Sequence, residues 1–251
     1  MEAIKDCCMA RHPQDPGRRT LLKAGIGAGT AAAIAAVSLV PRGADAASLT
    51  QAQRDAMTPD QVIDMMKQGN ERFRAGKPQQ HDYLAQKRSS ASGQFPAAVI
   101  LSCIDSRAPA EIILDTGIGD TFNGRIAGNI SNNDLLGSME FACAAAGAKV
   151  VLVMGHTACG AVAGAIDNVE LGHLTGLLKV IKPAVEATKF SGERNGKNAA
   201  FVDAVAKTNV QHTVDAIRKN SPILAGLEKE GKIKIVGSMY DLSNGMLTFL
   251  T

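Results

Sequence analysis

Two short runs of almost exclusively apolar residues constrain the fold of this chain more than any other feature. They are Ala97–Leu101, which follows a proline, and Lys149–Met154, which follows Gly147 closely. A continuous apolar run of this length is typical of a β-strand buried on both faces, and such strands belong to parallel sheets covered by helices. We therefore predict that both runs are strands of a mostly parallel sheet.

The rest of residues 58–250 reads as helices and weaker strands that alternate with these runs. Helical periodicity and capping residues predict helices over about 58–76, 82–90, 132–146, 158–168, 174–189, 200–220 and 222–230. Weaker strands are predicted at 120–126, 233–240 and 246–249, and Asn244-Gly245 between the last two is a hairpin signal. The predicted fold class is α/β, with a mostly parallel central sheet of four to five strands flanked by helices and an antiparallel edge hairpin.

Residues 1–46 resemble an export signal of the twin-arginine type. Arg18-Arg19 precedes a weakly apolar run, Ala24–Val40, and Ala44-Asp45-Ala46 has the small-x-small pattern of a cleavage site. The alternative is an uncleaved membrane anchor, but the run is short and consists mostly of Ala and Gly. We expect cleavage, no stable membrane insertion afterwards, and one exported or periplasmic domain over residues 47–251.

The net charge of +3 does not indicate a nucleic-acid partner. Residues 1–46 contain six basic and four acidic residues, so most of the excess belongs to the export signal. The remaining chain is nearly balanced and has no lysine or arginine run of the length that nucleic-acid binding requires. We therefore exclude nucleic-acid binding.

Two short motifs stand directly behind the two apolar runs. They are Cys103-Ile104-Asp105-Ser106-Arg107 and His156-Thr157-Ala158-Cys159-Gly160. The carboxyl ends of parallel strands meet at one edge of a sheet, so the two motifs should converge. Two thiolates and an imidazole suit Zn²⁺, and three protein ligands leave a fourth position for water. We predict that Cys103, His156 and Cys159 bind zinc; two buried thiols or a disulfide are the alternative.

The mature chain has one further cysteine and several histidines that no motif explains. Cys143 lies in an Ala-rich helical segment and is expected to be an inert buried thiol. His81, His173 and His212 have no partner motif and are expected to be surface or hydrogen-bonded side chains rather than ligands.

The two motifs, their order and their separation of about 50 residues resemble the β-carbonic anhydrase family. The resemblance covers most of residues 58–250 and includes Arg125-Ile126-Ala127-Gly128-Asn129, which is similar to the family's Arg-x-Ala-Gly-Asn stretch. It implies a β-carbonic anhydrase-like fold, a zinc cofactor and assembly into a homodimer or a higher homo-oligomer.

The resemblance also implies roles for residues around the metal. Asp105 and Arg107 would form the catalytic dyad, and Gln94 would orient the substrate. The remaining predicted substrate-binding residues are Phe122, Ala127, Phe141 and Gly160. Ala127 and Phe141 differ from the residues that are most common at these positions of the family.

The function implied is the reversible hydration of carbon dioxide to bicarbonate and a proton by zinc-bound hydroxide. Arg107 is expected to hold Asp105 ionised and away from the metal, because Asp105 could otherwise take the fourth position. The bicarbonate pocket that stabilises such a closed state in some members contains Trp, which this chain lacks. We therefore predict an open site at neutral pH.

Two other functions fit the same zinc ligands. One is the hydrolysis of carbonyl sulfide or carbon disulfide, which related folds perform with this ligand set. The other is a non-catalytic zinc module that Asp105 keeps closed; Arg107 and Gln94 argue against it, because a purely structural site needs neither residue.

Overall fold

The apolar runs form the centre of a five-stranded sheet in the computed structural model, which describes residues 47–250. The strand order is β2-β1-β3-β4-β5. The strands are β1 Ala98–Ser102, β2 Thr121–Arg125, β3 Val150–His156, β4 Lys234–Tyr240 and β5 Leu247–Leu250. The first four are parallel, and β5 is antiparallel to β4. The predicted α/β fold with a mostly parallel sheet and an antiparallel edge pair is confirmed.

Burial along the strands explains why the sequence signal differed between them. Every residue of β1 and β3 is buried, because both strands lie inside the sheet and both of their faces are covered. The edge strand β2 has no fully buried residue, so its sequence is mixed and its signal weak.

Helices cover both faces of the sheet. They are α1 Gln51–Ala56, α2 Pro59–Arg74, α3 Tyr83–Ser90, α4 Ala110–Ile113, α5 Asn133–Glu140, α6 Gly160–Ile166, α7 Gly172–Ala187, α8 Ala199–Asn220 and α9 Pro222–Lys229. A 3₁₀ turn spans Ala127–Asn129, and a π-helical turn spans Phe141–Ala145. Thr58 begins α2 with a capping box to Gln61.

Three apolar clusters form the core. One lies between the even-numbered residues of β1 and β3 and the helices α2 and α4. The second packs the odd-numbered residues of the same strands against α5, α8 and α9. The third joins α6, α7 and α8 to the carboxyl ends of β1 and β3, and it contains Cys103 and Cys159. The two cysteines are therefore held by packed helices on one side.

The structure differs from the predicted elements in several places. Helices α1 and α4 were not predicted, and α5 ends at Glu140 rather than continuing as an α-helix to Ala146. The predicted export signal, residues 1–46, lies outside the described residues. No helix within residues 47–250 combines the length and the apolar character needed to cross a membrane.

Candidate metal centre

The three predicted zinc ligands meet at the carboxyl ends of β1 and β3. These strands are parallel neighbours, with Ser102 opposite Met154, so the residues that follow lie side by side. The sulfurs of Cys103 and Cys159 and a ring nitrogen of His156 all lie within 4.8 Å of one another. All three residues are buried. The convergence follows directly from parallel pairing of the two strands that carry the motifs.

The His156 ring is oriented with one nitrogen ready for a cation. Its Nδ1 lies 2.8 Å from the carbonyl oxygen of Thr157, which can only accept, so Nδ1 carries the proton. In the neutral ring Nε2 then has a free lone pair, and this buried atom makes no hydrogen bond of normal geometry in the described part of the chain. Burial opposes ionisation of the ring, but the neighbouring Cys103 and Asp105 outweigh it and raise the pKa of His156, as expected where a cation is favoured. A buried polar atom without a partner is unfavourable unless something binds it. This pattern is typical of a metal-binding histidine.

The thiols of Cys103 and Cys159 lie close together and shift each other's pKa in opposite directions. The hydrogen bond from Cys159 lowers the pKa of Cys103 to about 4, against the opposing effect of burial, and the backbone N–H of Gly128 contributes at 3.3 Å. The neighbouring Cys103 sulfur and burial raise the pKa of Cys159 above its usual range. The pair therefore favours ionisation of Cys103 before Cys159, and a soft cation would replace the proton that Cys159 keeps.

These features fit zinc. Two sulfurs and an imidazole nitrogen are a common Zn²⁺ ligand set, and the buried, partnerless Nε2 is the atom that the ion would satisfy. Cys159 stands at the N-cap of α6, where the helix dipole favours a thiolate. Cys103, His156 and Cys159 are the residues that would hold the ion.

Asp105 and Arg107 form the bidentate pair that the sequence predicted. Arg107 Nε and Nη2 donate to the two carboxylate oxygens at 3.0 and 2.8 Å, and its backbone N–H donates to Oδ1 at 2.9 Å. These bonds hold the pKa of Asp105 well below its usual range. Asp105 Oδ2 lies 3.8 Å from His156 Nε2, so the carboxylate borders the centre.

Arg125 supports this loop from the neighbouring strand. Its Nε donates to the carbonyl of Cys103 at 2.9 Å, and its Nη2 donates to the carbonyl of Asp105 at 2.6 Å. The sequence placed Arg125 in a family-like motif without a role. The structure places it as the side chain that holds the Cys103–Asp105 backbone.

The predicted substrate-binding residues divide into two groups. Ala127 adjoins Gly128, which contacts Cys103, and Gly160 directly follows Cys159, so these two border the centre. Gln94 is exposed and precedes β1, whereas Cys103 follows that strand. Within one chain the structure does not bring Gln94 to the metal ligands.

Phe122 and Phe141 lie together, away from the three ligands. Their ring centroids are 5.9 Å apart, and they line a cleft of about 660 Å³ with none of the metal ligands in its wall. The register of β2 explains their place, because Phe122 lies opposite Val99, near the amino end of β1. Their assignment to the substrate pocket stays a prediction.

Cys143 and His81 lie outside the metal centre, and their surroundings suit a structural role. Burial raises the pKa of Cys143 to about 12, so its thiol stays protonated. His81 Nε2 lies 3.0 Å from a carboxylate oxygen of Asp115, which Arg72 also contacts at 2.5 Å. This buried group ties α2 to the segment after α4.

Sequence reasoning missed two polar side chains of α8 that reach the loops of the centre. Asp203 accepts the backbone N–H of Ala158 at 2.8 Å, and Asn209 donates to the carbonyl of Gly128 at 2.8 Å. Asn209 is 2% exposed. A polar residue on the buried face of an otherwise amphipathic helix was the available signal for Asn209.

Comparison with known proteins agrees with this geometry. The profile of a family described as carbonic anhydrase matches residues 98–247. Carbonic anhydrase 2 of Mycobacterium tuberculosis is 37% identical over 182 residues, which are 72% of this chain and 87% of that protein. A carbonic anhydrase of Mycolicibacterium smegmatis is 34% identical over 182 residues, again 72% and 87% of the two chains.

Solved structures give the same result. One of two tetrameric β-carbonic anhydrases of Sordaria macrospora matches with a TM-score of 0.56 and 27% identity, over 64% of this chain and 83% of that chain. A β-carbonic anhydrase of Aspergillus fumigatus matches with a TM-score of 0.56 and 29% identity, over 64% and 77%. The fold, the clustered Cys-His-Cys group and these similarities agree, and the chain is a member of the β-carbonic anhydrase family of enzymes.

Proposed function

We propose that this chain catalyses the reversible hydration of carbon dioxide to bicarbonate and a proton, with zinc as its cofactor. The observation that carries the proposal is the buried group of Cys103, His156 and Cys159, whose ligand atoms lie within 4.8 Å of one another and whose His156 Nε2 makes no hydrogen bond in the described part of the chain. Family membership supports the same reaction.

Zinc in this position supplies Lewis acidity, which lowers the pKa of water to about 7 and makes a nucleophile available at neutral pH. The protein residues hold and orient the reactants. Asp105, kept ionised by Arg107, can accept a hydrogen bond from water at the centre and so fixes its orientation.

The surroundings of the centre suit an apolar gas. Ile130, Val162 and Ile181 pack in the same cluster as Cys103 and Cys159 and are almost completely buried. They keep bulk water away from one side of the ligands, which strengthens the electrostatic interactions there. We assign the remaining pocket residues, Gln94 among them, from the family resemblance alone.

The direct test is carbon dioxide hydration by the purified chain without residues 1–46. We expect rapid hydration, one zinc per chain, and loss of both in Cys159→Ser. The matched control is Cys143→Ser, which removes a buried thiol outside the centre and should retain metal and activity. Asp105→Asn should retain zinc but lose most of the activity.

The same preparations decide between the competing functions. Stoichiometric zinc without hydration would contradict the proposed reaction and favour a closed, non-catalytic site. Faster turnover of carbonyl sulfide or carbon disulfide than of carbon dioxide would favour the hydrolase alternative.

We further propose that residues 1–46 direct export through the twin-arginine route and are removed. The Arg18-Arg19 pair and the small-x-small pattern before Ala47 support this proposal. Replacing both arginines by lysine should retain the protein inside the cell, whereas Arg11→Lys should not. Fractionation followed by mass measurement of the exported chain tests it, and an uncut chain in the membrane fraction would favour an anchor.

We also propose that the mature chain is a homo-oligomer. The Sordaria macrospora relatives are described as tetrameric. Gln94 precedes β1 and Cys103 follows it, so a glutamine contact at the metal centre could come from a partner chain instead. Sedimentation of the purified mature chain tests the proposal, and a monomer at micromolar concentration would contradict it.

A further inference from the structure

The loop between β3 and α6 contains an unfavourable backbone conformation between two ligands of the candidate metal centre. Ala158, which lies between His156 and Cys159, has φ +52°. In this left-handed region the β-carbon of a residue other than glycine approaches the neighbouring carbonyl. The Ala158 side chain is exposed, so packing of its methyl group does not hold the conformation. Another interaction must hold it.

A carboxylate on a different element supplies that interaction. Asp203 Oδ1 accepts the Ala158 N–H at 2.8 Å, across 45 residues of chain. Asp203 lies in the second turn of α8, beside Phe201 and Val202, which are 0% and 3% exposed. The carboxylate is therefore presented by a firmly packed part of the helix.

The same backbone residue also faces the catalytic dyad. The Ala158 carbonyl oxygen lies 3.5 Å from Arg107 Nη2, and this nitrogen also donates to Asp105. The N–H of Ala158 is thus bonded to α8, and its C=O faces the guanidinium that orients Asp105. A shift of Ala158 would move both Cys159 and this contact.

We propose that Asp203 is a positioning residue of the metal centre, which holds Ala158 in its left-handed conformation and thereby places the Cys159 sulfur for zinc. This inference rests on the proposed zinc site, but it concerns a side chain that touches neither the ligands nor the substrate. Outer hydrogen-bond partners of metal sites typically change metal affinity by about 10- to 100-fold when removed.

The test measures metal affinity, independently of activity. Zn²⁺ affinity is determined by competition with a chromophoric chelator, and Co²⁺ absorption reports thiolate coordination. We expect Asp203→Ala to weaken zinc binding by about 10-fold and to alter the Co²⁺ spectrum. Asp203→Asn, which keeps an acceptor oxygen at the same reach, should stay within about threefold of the native protein.

Asp215→Ala is the matched control. It makes the same chemical change on the same helix, at a side chain that is 75% exposed and far along α8 from Asp203. Its zinc affinity should equal that of the native protein. A general effect of removing a carboxylate from α8 would appear in both variants.

A second substitution separates positioning from a simple loss of stability. Ala158→Gly removes the β-carbon, so the left-handed conformation no longer needs the bond to Asp203. In the Asp203→Ala background it should restore most of the zinc affinity, and in the native background it should change little. If Asp203 only stabilised the fold, the glycine would not restore metal binding selectively.

The outcomes distinguish this inference from the proposed function. A native protein that binds no zinc contradicts the proposed function itself. If the native protein binds zinc and the Asp203→Ala variant binds it with equal affinity, the inference alone is overturned. If Asp203→Ala does not fold, Asp203→Ser replaces it, because its shorter side chain cannot reach Ala158; equal affinity of the Ser and Asn variants would then overturn the inference.

Discussion

At the scale of single residues, Arg107 contacts Asp105 through its side chain and its backbone at once. The two side-chain bonds are parallel, and such a fork cannot be reproduced by the single ammonium group of lysine. The pair is partly exposed, with the Arg107 side chain 57% accessible, so its contribution lies in orientation more than in stability.

Arg107→Lys should therefore lower carbon dioxide hydration by on the order of 100-fold while leaving zinc content unchanged. The reason is that Asp105 loses a donor and its fixed orientation beside the centre. The matched control is Arg218→Lys, which breaks a similar bidentate pair with Glu228 at 2.8 and 3.0 Å in the last turn of α8. Full activity of Arg107→Lys would contradict the assigned role.

Asp115 is a buried residue whose charge should contribute to stability. Burial opposes ionisation, but hydrogen bonds from Arg72, the Gln79 backbone and His81 outweigh it and lower the pKa of Asp115. Because the folded pKa lies below the unfolded value of about 3.9, the stabilisation is fully present above that value. It is lost as pH falls through the lower folded pKa.

Asp115→Asn should accordingly reduce the free energy of unfolding at pH 7 by about 2 kcal/mol. The difference from the native protein should be smaller at about pH 3, because below the unfolded pKa the unfolded carboxyl takes up a proton and the advantage of the native charge declines until the lower folded pKa is passed. Urea unfolding at both pH values measures this. Asp64→Asn, at an exposed surface pair with Lys67, should change stability by less than about 0.5 kcal/mol; an equal loss in both variants would argue against the buried group.

At the scale of elements, the 3₁₀ turn after β2 depends on Gly128. Its φ is +69°, and an added β-carbon would stand 2.5 Å from Ile181 Cδ1 on α7. The same glycine donates its N–H to the Cys103 sulfur and its carbonyl accepts from Asn209. Backbone conformation and helix packing therefore both require glycine here, and a shift of this residue would also disturb its bonds to Cys103 and Asn209.

Gly128→Ala should lower the free energy of unfolding by about 2 kcal/mol. Gly176→Ala makes the same change inside α7, where an added β-carbon meets nothing within 4 Å, and it should raise stability by about 0.5 to 1 kcal/mol. Thermal unfolding of the two variants measures these opposite signs. An unchanged Gly128→Ala protein would show that the turn can adapt.

The elements that the sequence predicted are those with local signals. The apolar runs of β1 and β3 and the start of α2 at residue 58 needed no tertiary information, and the motifs at the strand ends brought the three candidate ligands together as expected. Helix α4 escaped prediction because four residues carry too little periodicity. The contact of Asp203 was not predicted because its partner is a backbone N–H 45 residues away, and no sequence motif indicates such a pair.

At the scale of the whole molecule, the candidate ligands come from the ends of two strands about 50 residues apart in the chain and meet only in the folded sheet. Metal binding should therefore stabilise the fold, because the unfolded chain lacks the assembled site. With free zinc at a thousandfold excess over its dissociation constant, linkage gives about 4 kcal/mol.

Removal of zinc by a chelator should thus lower the unfolding temperature by about 10 °C for a domain of this size. Calorimetry of the metal-loaded and chelator-treated protein measures the shift. Cys159→Ser provides the control, since its unfolding temperature should not respond to the chelator. Identical transitions for the native protein in both conditions would mean that no ion links the two loops.

The side-by-side pairing of β1 and β3 also bears on where the chain could acquire its metal. The Cys103 sulfur and the His156 imidazole become neighbours only when these two strands pair, so the complete three-ligand site exists only in the folded chain. A polypeptide that crosses a membrane unfolded would arrive without its metal and would have to bind an ion on the other side. One that travels already folded can bring its ion along.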